Sequence, residues 1–143
     1  YTSGGGYNPL SRNIKGAIET EENAKIQIGD NVGISSGCLW IYDSLIIKNN
    51  VKIGGDCIIL DSDAHSLNYL QRRDGLIDRP NAKKKGIVIE EDVLIGTRCI
   101  ILKGVTIGAR SIIGSGSVVT KNIPEDEIWA GNPAVFIKKI DNL

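Results

Sequence analysis

The sequence predicts an all-β solenoid, because an aliphatic residue recurs every six positions over much of the chain. From Ile89 to Val119, an Ile or Val stands at every sixth residue without exception. The fourth residue after each of them is either small or β-branched. This period fits neither a helix nor a long alternating strand. It fits a strand of about four residues followed by a corner of about two, so that three repeats close one triangular coil and stacked coils share a core.

A less regular version of the pattern predicts further coils upstream. Aliphatic residues recur at Ile28, Ile34, Ile47, Ile53 and Ile59. The step from Ile34 to Ile47 is 13 residues, one more than two repeats, so we expect one extra residue at the corner formed by residues 42–44. Glycine, Asn and Asp often follow the aliphatic positions and suit corners with positive φ. An antiparallel β-sandwich is the alternative, but hairpins do not readily produce so regular a period.

The repeats divide a single domain, residues 1–143, into four segments, and 143 residues suit one domain. Coils are expected over 24–65 and 87–123, an inserted loop over 66–86, and a C-terminal cap with a short helix over 124–143. If the loop leaves and rejoins at one corner, four small residues should form one inward column on the same face: Cys38, Cys57, Cys99 and Ser117. Without CxxC spacing, these three cysteines are expected to be reduced core residues in the cytoplasm.

Composition excludes several function classes. The 17 basic side chains balance the 17 acidic ones, which argues against nucleic acid or an anionic membrane as the main partner. No apolar run reaches the roughly 20 residues that a membrane-spanning helix needs, and no signal peptide is visible. A single histidine cannot supply the three-histidine zinc site of the β-helical carbonic anhydrases, so we expect no metal.

That histidine, His65, is the first candidate for chemistry. It stands where the next inward aliphatic residue would fall, at the point where the repeat stops and a long loop begins. We expect the loop to let the imidazole face a groove instead of the core. A neutral imidazole can accept a proton from an alcohol near neutral pH. A histidine simply packed at a coil corner is the alternative.

Four segments give the chain a family resemblance: "IGDNVGIS", "DSDAHSL", "GVTIGARSIIGSGSVVTKNIP" and "AGNPAVFIKKI". In this order and spacing they resemble the hexapeptide-repeat acyltransferases, most of all the sugar O-acetyltransferases of the maltose, galactoside and surface-polysaccharide type. The resemblance covers roughly residues 24–140. It implies a left-handed parallel β-helix, a homotrimer with active sites between subunits, and acetyl-CoA as donor. It also implies direct attack of a sugar hydroxyl on acetyl-CoA, with His65 as general base.

The same resemblance implies binding residues. Asp43 matches an aspartate that contacts the acceptor sugar, whereas Ser35 stands where the galactoside enzymes have an asparagine, which leaves the acceptor open. Asp61 and Asp63 flank His65; one is expected to fix the imidazole tautomer and the other to bind a sugar hydroxyl, unless they are plain corner carboxylates. Expected CoA contacts come from Thr97, Ser115, Thr120, Lys121 and Lys138, and from Trp129 if it stacks on the adenine instead of packing on the last coil.

Two other functions stay open at this stage. One is an acetyltransferase for an amine or a non-sugar hydroxyl such as an antibiotic, and the other is a non-catalytic β-helical scaffold. The tract Lys83-Lys84-Lys85 is expected to be a solvated loop face instead of a phosphate clamp.

Overall fold

The computed structural model describes residues 15–141 and shows a three-sided parallel β-helix. Its strands and helices, in chain order, are β1 (Ala17–Thr20), β2 (Lys25–Ile28), β3 (Gly33–Ile34), β4 (Cys38–Ile41), β5 (Ser44–Ile47), β6 (Lys52–Ile53), β7 (Ile58–Leu60), α1 (Tyr69–Arg72), α2 (Gly75–Asp78), β8 (Ile87–Ile89), β9 (Leu94–Ile95), β10 (Ile100–Leu102), β11 (Thr106–Ile107), β12 (Ile112–Ile113), β13 (Val118–Val119), β14 (Glu127–Gly131) and β15 (Ala134–Lys139). A short 3-10 turn, Arg79–Asn81, follows α2.

Successive strands belong to three sheets in rotation. Sheet A has the order β1-β4-β7-β10-β13, sheet B has β11-β8-β5-β2, and sheet C has β15-β14-β12-β9-β6-β3. Three edges therefore run along the prism: corner I between sheets A and B, corner II between sheets C and A, and corner III between sheets B and C. The arrangement confirms the predicted left-handed parallel β-helix.

The aliphatic repeat residues fill the core of this prism. The six positions from Ile89 to Val119 are all completely buried. Residues of the earlier coils lie in register with them, for example Ile53 beside Ile95 and Ile59 beside Ile101. Since each coil packs mainly on its two neighbours, the stabilisation is spread along the stack instead of residing in one centre.

The upstream irregularity is larger than the expected single extra residue. Leu39 is in register with Ile59, and Ile47 is in register with Ile89. Successive inward repeat positions are therefore five residues apart from Ile34 to Leu39 and eight residues apart from Leu39 to Ile47, whereas regular repeats are spaced by six. One residue is missing at corner II, where Ser36 takes the positive-φ position, and two are added at corner I, in residues 42–44.

The missing residue also corrects the predicted cysteine column. Cys57, Cys99 and Ser117 each lie two residues before the aligned Ile59, Ile101 and Val119, and all three are buried, so this part of the prediction is confirmed. The prediction that Cys38 belongs to this column is wrong. Because corner II is one residue shorter in this coil, Gly37 takes the column position and Cys38 is the residue after it. Cys38 pairs with the outward-facing Ile58 and is only partly buried.

The two thiols inside the column have carbonyl partners. Cys57 Sγ donates to Gly96 O at 3.0 Å, and Cys99 Sγ donates to Gly114 O at 3.2 Å. The interaction with Cys99 and then burial raise the pKa of the Cys57 thiol above its ordinary value. Both cysteines are free, as predicted.

The C-terminal cap is a β-hairpin, so the expected short helix is wrong for the described part of residues 124–143. β14 extends sheet C beside β12, and β15 returns antiparallel to β14 across a turn that contains the cis Asn132–Pro133 bond. The sequence "AVFIKK" is rich in β-branched and aromatic residues, which suit a strand. Trp129 and Phe136 meet edge-to-face across the hairpin, with ring centroids 6.5 Å apart.

The inserted loop leaves and re-enters the coil at the same corner, as predicted. Asp63 N–H donates to Lys83 O, and Lys85 N–H donates to Asp61 O, both at 2.9 Å. Between these limbs the chain forms α1 and α2. The coil register is the same before and after the excursion. Within residues 15–141, no helix has the length and apolar character of a membrane span.

Candidate active site

The clearest chemical constellation is a hydrogen-bonded pair formed by His65 and Asp78 at corner I. His65 Nδ1 lies 2.6 Å from Asp78 Oδ2. The histidine side chain is 66% exposed, whereas that of Asp78 is 8% exposed. An open imidazole is therefore held from behind by a sheltered carboxylate.

The loop builds this pair from its two short helices. Asp74 caps α2 by accepting the N–H of Leu76 at 2.9 Å, and Asp78 is the last residue of that helix. The second oxygen of Asp78, Oδ1, accepts the N–H of Ser66 at 2.7 Å. Arg72 Nη1 donates to Ser66 O at 2.8 Å, so α1 also fixes the chain next to the histidine. The carboxylate is thus placed by both helices of the loop.

These contacts assign the imidazole tautomer. The hydrogen bond with His65, and then that from the Ser66 N–H, hold the pKa of Asp78 below its ordinary value. Asp78 is therefore ionised near neutral pH and can only accept hydrogen bonds. Nδ1 must then carry the proton, which leaves the lone pair of Nε2 free. Among residues 15–141, Nε2 has no hydrogen-bond partner.

The tautomer-fixing role that we expected for Asp61 or Asp63 belongs to Asp78 instead. Asp61 is fully buried, and its two oxygens accept the N–H groups of residues 42–44. Because it is fully buried, it cannot reach an acceptor hydroxyl, which corrects its assignment as an acceptor-binding residue. Asp63 is half-buried and forms an ion pair with Lys103.

Sequence reasoning missed Asp78 because nothing local marks it. It lies 13 residues beyond His65, in helices of four residues each, which show no usable periodicity. The length of the loop was the only available signal, and it indicated function without indicating a residue.

Six of the other expected site residues fall into two groups on different edges of the prism. Asp43 is exposed at corner I, one coil before His65, and Thr120 and Lys121 follow β13 at the same corner. Ser35, Thr97 and Ser115 follow strands of sheet C and lie at corner II. Thr97 and Ser115 are stacked there, since Thr97 N–H donates to Ser115 Oγ at 3.2 Å. Within one chain, sheet A separates the two groups.

Trp129 packs on the end of the core. It is in register with the inward-facing Ile113 and contacts the core cluster. Its Nε1 donates to Glu127 Oε2 at 2.7 Å, and Lys121 Nζ lies 5.7 Å from the centre of its ring. Of the two expectations for Trp129, packing on the last coil therefore describes its place in the fold. Lys138 is exposed on β15. Among the described residues, no cluster of three or more His, Cys, Asp or Glu could hold a metal ion.

The chain is similar to known transferases in sequence and in fold. The bacterial transferase hexapeptide family (six repeats) matches residues 86–121. A hexapeptide-repeat acetyltransferase of Vibrio cholerae, solved with acetyl coenzyme A, is 31% identical with a TM-score of 0.73, over 88% of this chain and 69% of that one. A maltose O-acetyltransferase of Clostridium difficile is 30% identical with a TM-score of 0.74, over 87% of this chain and 67% of that one.

Two relatives found by sequence differ in the share of their length that aligns with this chain. A Staphylococcus aureus protein provisionally named an acetyltransferase is 36% identical over 125 residues, and this chain spans 60% of its length, with 87% of this chain matched. A 2,3,4,5-tetrahydropyridine-2,6-dicarboxylate N-acetyltransferase of Clostridium perfringens is 43% identical over 67 residues, which is 47% of this chain and 28% of that protein.

Proposed function

Because the chain belongs to the hexapeptide-repeat acetyltransferase family, we propose that it transfers an acetyl group from acetyl-CoA to a hydroxyl of a sugar or polysaccharide precursor. The observation that carries this proposal is the His65–Asp78 pair, which leaves one ring nitrogen of an exposed imidazole available at corner I. An alcohol is a very weak acid and needs such a base when it attacks a thioester.

The reaction proceeds by direct transfer. His65 Nε2 takes the proton of the acceptor hydroxyl as its oxygen attacks the thioester carbonyl carbon. The carbon–sulfur bond then breaks, and the imidazolium returns its proton to the sulfur of CoA. Asp78 stabilises the imidazolium that forms in between, as a buried carboxylate does for a catalytic histidine. Asp43, exposed at the same corner, orients the acceptor.

The working unit is a homotrimer with the site between subunits. The base and Lys121 lie at corner I, whereas Thr97 and Ser115 lie at corner II, so the two halves of the site can meet only if corner II of a neighbour approaches corner I. The outer face of sheet A supports a trimer, because it carries two rows of mostly apolar side chains in register. One row is Cys38, Ile58, Ile100 and Val118, and the other is Trp40, Leu60 and Leu102. Exposed apolar faces of this kind mark subunit interfaces.

An acceptor screen tests the proposal. Wild-type protein and the His65→Ala variant are incubated with acetyl-CoA and a panel of mono- and oligosaccharides, and the products are examined by mass spectrometry for the gain of one acetyl group. We expect a gain that depends on His65. Equal acetylation by both proteins, or none by either with any acceptor, contradicts the proposal.

An amine acceptor is the second candidate. It is favoured by the similarity to the N-acetyltransferase of Clostridium perfringens over 67 residues. The same base would then take a proton from the ammonium to free the nitrogen lone pair for attack, or from the amine nitrogen as the new carbon–nitrogen bond forms. Including amino sugars and simple amines in the screen separates the two, since an N-acetyl product resists mild base whereas an O-acetyl ester is hydrolysed.

A further inference from the structure

We propose that Asp61 is a positioning residue for the acceptor: it holds the enlarged corner at residues 42–44 so that Asp43 faces the substrate beside His65. This inference rests on the proposed function. It starts from the irregular coil, in which the step from Leu39 to Ile47 has two residues more than a regular repeat. The additional residues fall at corner I, the edge that also carries His65.

The Asp43 carbonyl of the enlarged corner still accepts the Lys25 N–H, but the corner's N–H groups are accepted by Asp61. Tyr42 N–H donates to Asp61 Oδ1 at 2.7 Å, while the N–H groups of Asp43 and Ser44 donate to Oδ2 at 2.7 and 2.8 Å. Asp61 itself is 0% exposed. Three consecutive N–H groups converging on one carboxylate form a charge-assisted anchor, stronger than bonds between neutral groups.

The returning limb of the loop holds the same corner from its other side. Lys84 Nζ donates to Tyr42 O at 2.9 Å. Gly86 lies so close that a Cβ atom there would stand 2.1 Å from Ser44 Oγ and 3.4 Å from Asp43 Oδ2. Any side chain at Gly86 would have to displace the Ser44 hydroxyl and would press on the Ser44 carbonyl oxygen, which lies 3.2 Å from the added Cβ. The corner is therefore fixed by the coil through Asp61 and by the loop through Lys84 and Gly86.

This anchoring has a consequence for substrate binding. Asp43 is exposed although its backbone is fixed, so its carboxylate projects from a defined place on corner I. Asp61 is also only four residues from His65, with the loop limbs paired between them. One buried carboxylate thus couples the position of the acceptor-binding residue to the position of the base. The donor residues at corner II make no contact with this anchor.

The test compares acceptor and donor kinetics in the full-length protein. Asp61→Asn keeps the size of the side chain but leaves one oxygen to serve three donors. We expect the acceptor KM to rise by about ten-fold, the loss of roughly one net hydrogen bond, while the KM for acetyl-CoA stays within about two-fold. Asp43→Ala should raise the acceptor KM as well, and the double variant should show little further rise because both changes act on one contact.

A second variant separates positioning from folding. Gly86→Ala leaves Asp61 intact and should give the same selective rise in acceptor KM, with Lys84→Met giving a smaller one; circular dichroism and light scattering establish that each variant is folded and assembled. An unchanged acceptor KM in the folded variants, an equal rise in the donor KM, or additive effects in the double variant would overturn the role of Asp61. Wild-type turnover that does not depend on His65 would instead refute the proposed function, and this inference with it.

Discussion

Replacing Asp78 by asparagine should damage catalysis more than replacing it by alanine. The two oxygens of Asp78 have different neighbours: Oδ1 accepts the Ser66 N–H at 2.7 Å, and Oδ2 faces His65 Nδ1 at 2.6 Å. In Asp78→Asn, the Ser66 N–H requires an oxygen opposite it. The amide nitrogen of the new side chain must then face the histidine.

That arrangement reverses the tautomer of His65. An amide N–H pointing at Nδ1 makes this nitrogen an acceptor, so the ring proton moves to Nε2 and the exposed nitrogen can no longer take a proton. We expect kcat to fall by about 10²- to 10⁴-fold, the size of the whole general-base contribution. In Asp78→Ala the imidazole loses its hydrogen-bond partner but keeps an available Nε2. A misplaced catalytic group lowers kcat by up to about 10²-fold.

The assay follows release of the CoA thiol with an acceptor that the wild-type protein acetylates. Asp74→Asn is the matched control, because it makes the same chemical change in the same helix and asparagine caps a helix as well as aspartate does. We expect near-wild-type turnover for Asp74→Asn and the order wild type, Asp78→Ala, Asp78→Asn for decreasing kcat. If Asp78→Asn retains more than about half of the turnover, or exceeds Asp78→Ala, the tautomer argument is wrong.

Three further expectations can be measured directly. His65→Ala should lower turnover by about 10²- to 10⁴-fold while isothermal titration shows unchanged CoA binding; weakened CoA binding would point to a structural role. A thiol reagent should label at most one cysteine, Cys38, in the native protein and all three after denaturation, because Cys57 and Cys99 are buried; rapid native labelling of two would contradict the column. Ile101→Ala, at a fully buried core position, should reduce the free energy of unfolding by about 2–5 kcal/mol, as measured by urea denaturation.

The sequence predicts the coil well because the hexapeptide period repeats without a break. Every sixth residue from 89 to 119 is a buried Ile or Val, so the phase of the pattern is unambiguous there. Upstream, Leu39, Ile41, Leu45 and Ile47 are all buried although only two of them are in register with the regular repeat positions. In a run this apolar, the sequence does not show which residues point inward. It therefore reveals the net excess of one residue, but not that one residue is missing at corner II and two are added at corner I.

The site is less predictable than the fold because its contacts are not periodic. His65 stands out as a break in a strong pattern. Asp78 depends on how two four-residue helices fold back on the coil, and Asp61 depends on a corner whose length the sequence does not reveal. Both carboxylates act through geometry between segments distant in sequence, which local patterns do not encode.

Subunit complementation gives the sharpest test of a site shared in a homotrimer. Light scattering should give three times 15.4 kDa, about 46 kDa. Ile58→Glu, on the outer face of sheet A and 39% exposed, should dissociate the trimer, whereas Leu94→Glu, 45% exposed on sheet C, should not.

His65→Ala removes the base at corner I, and Ser115→Trp blocks corner II, so each variant alone should be inactive. When both are co-expressed, a site is intact only if its corner I comes from a Ser115→Trp subunit and its corner II from a His65→Ala neighbour. Random assembly makes this the case for one half times one half, about one quarter, of the sites, since each subunit contacts the next through unlike surfaces. Recovery of about a quarter of wild-type turnover is therefore expected. Absence of recovery in trimers that contain both variants would place the complete site within one chain.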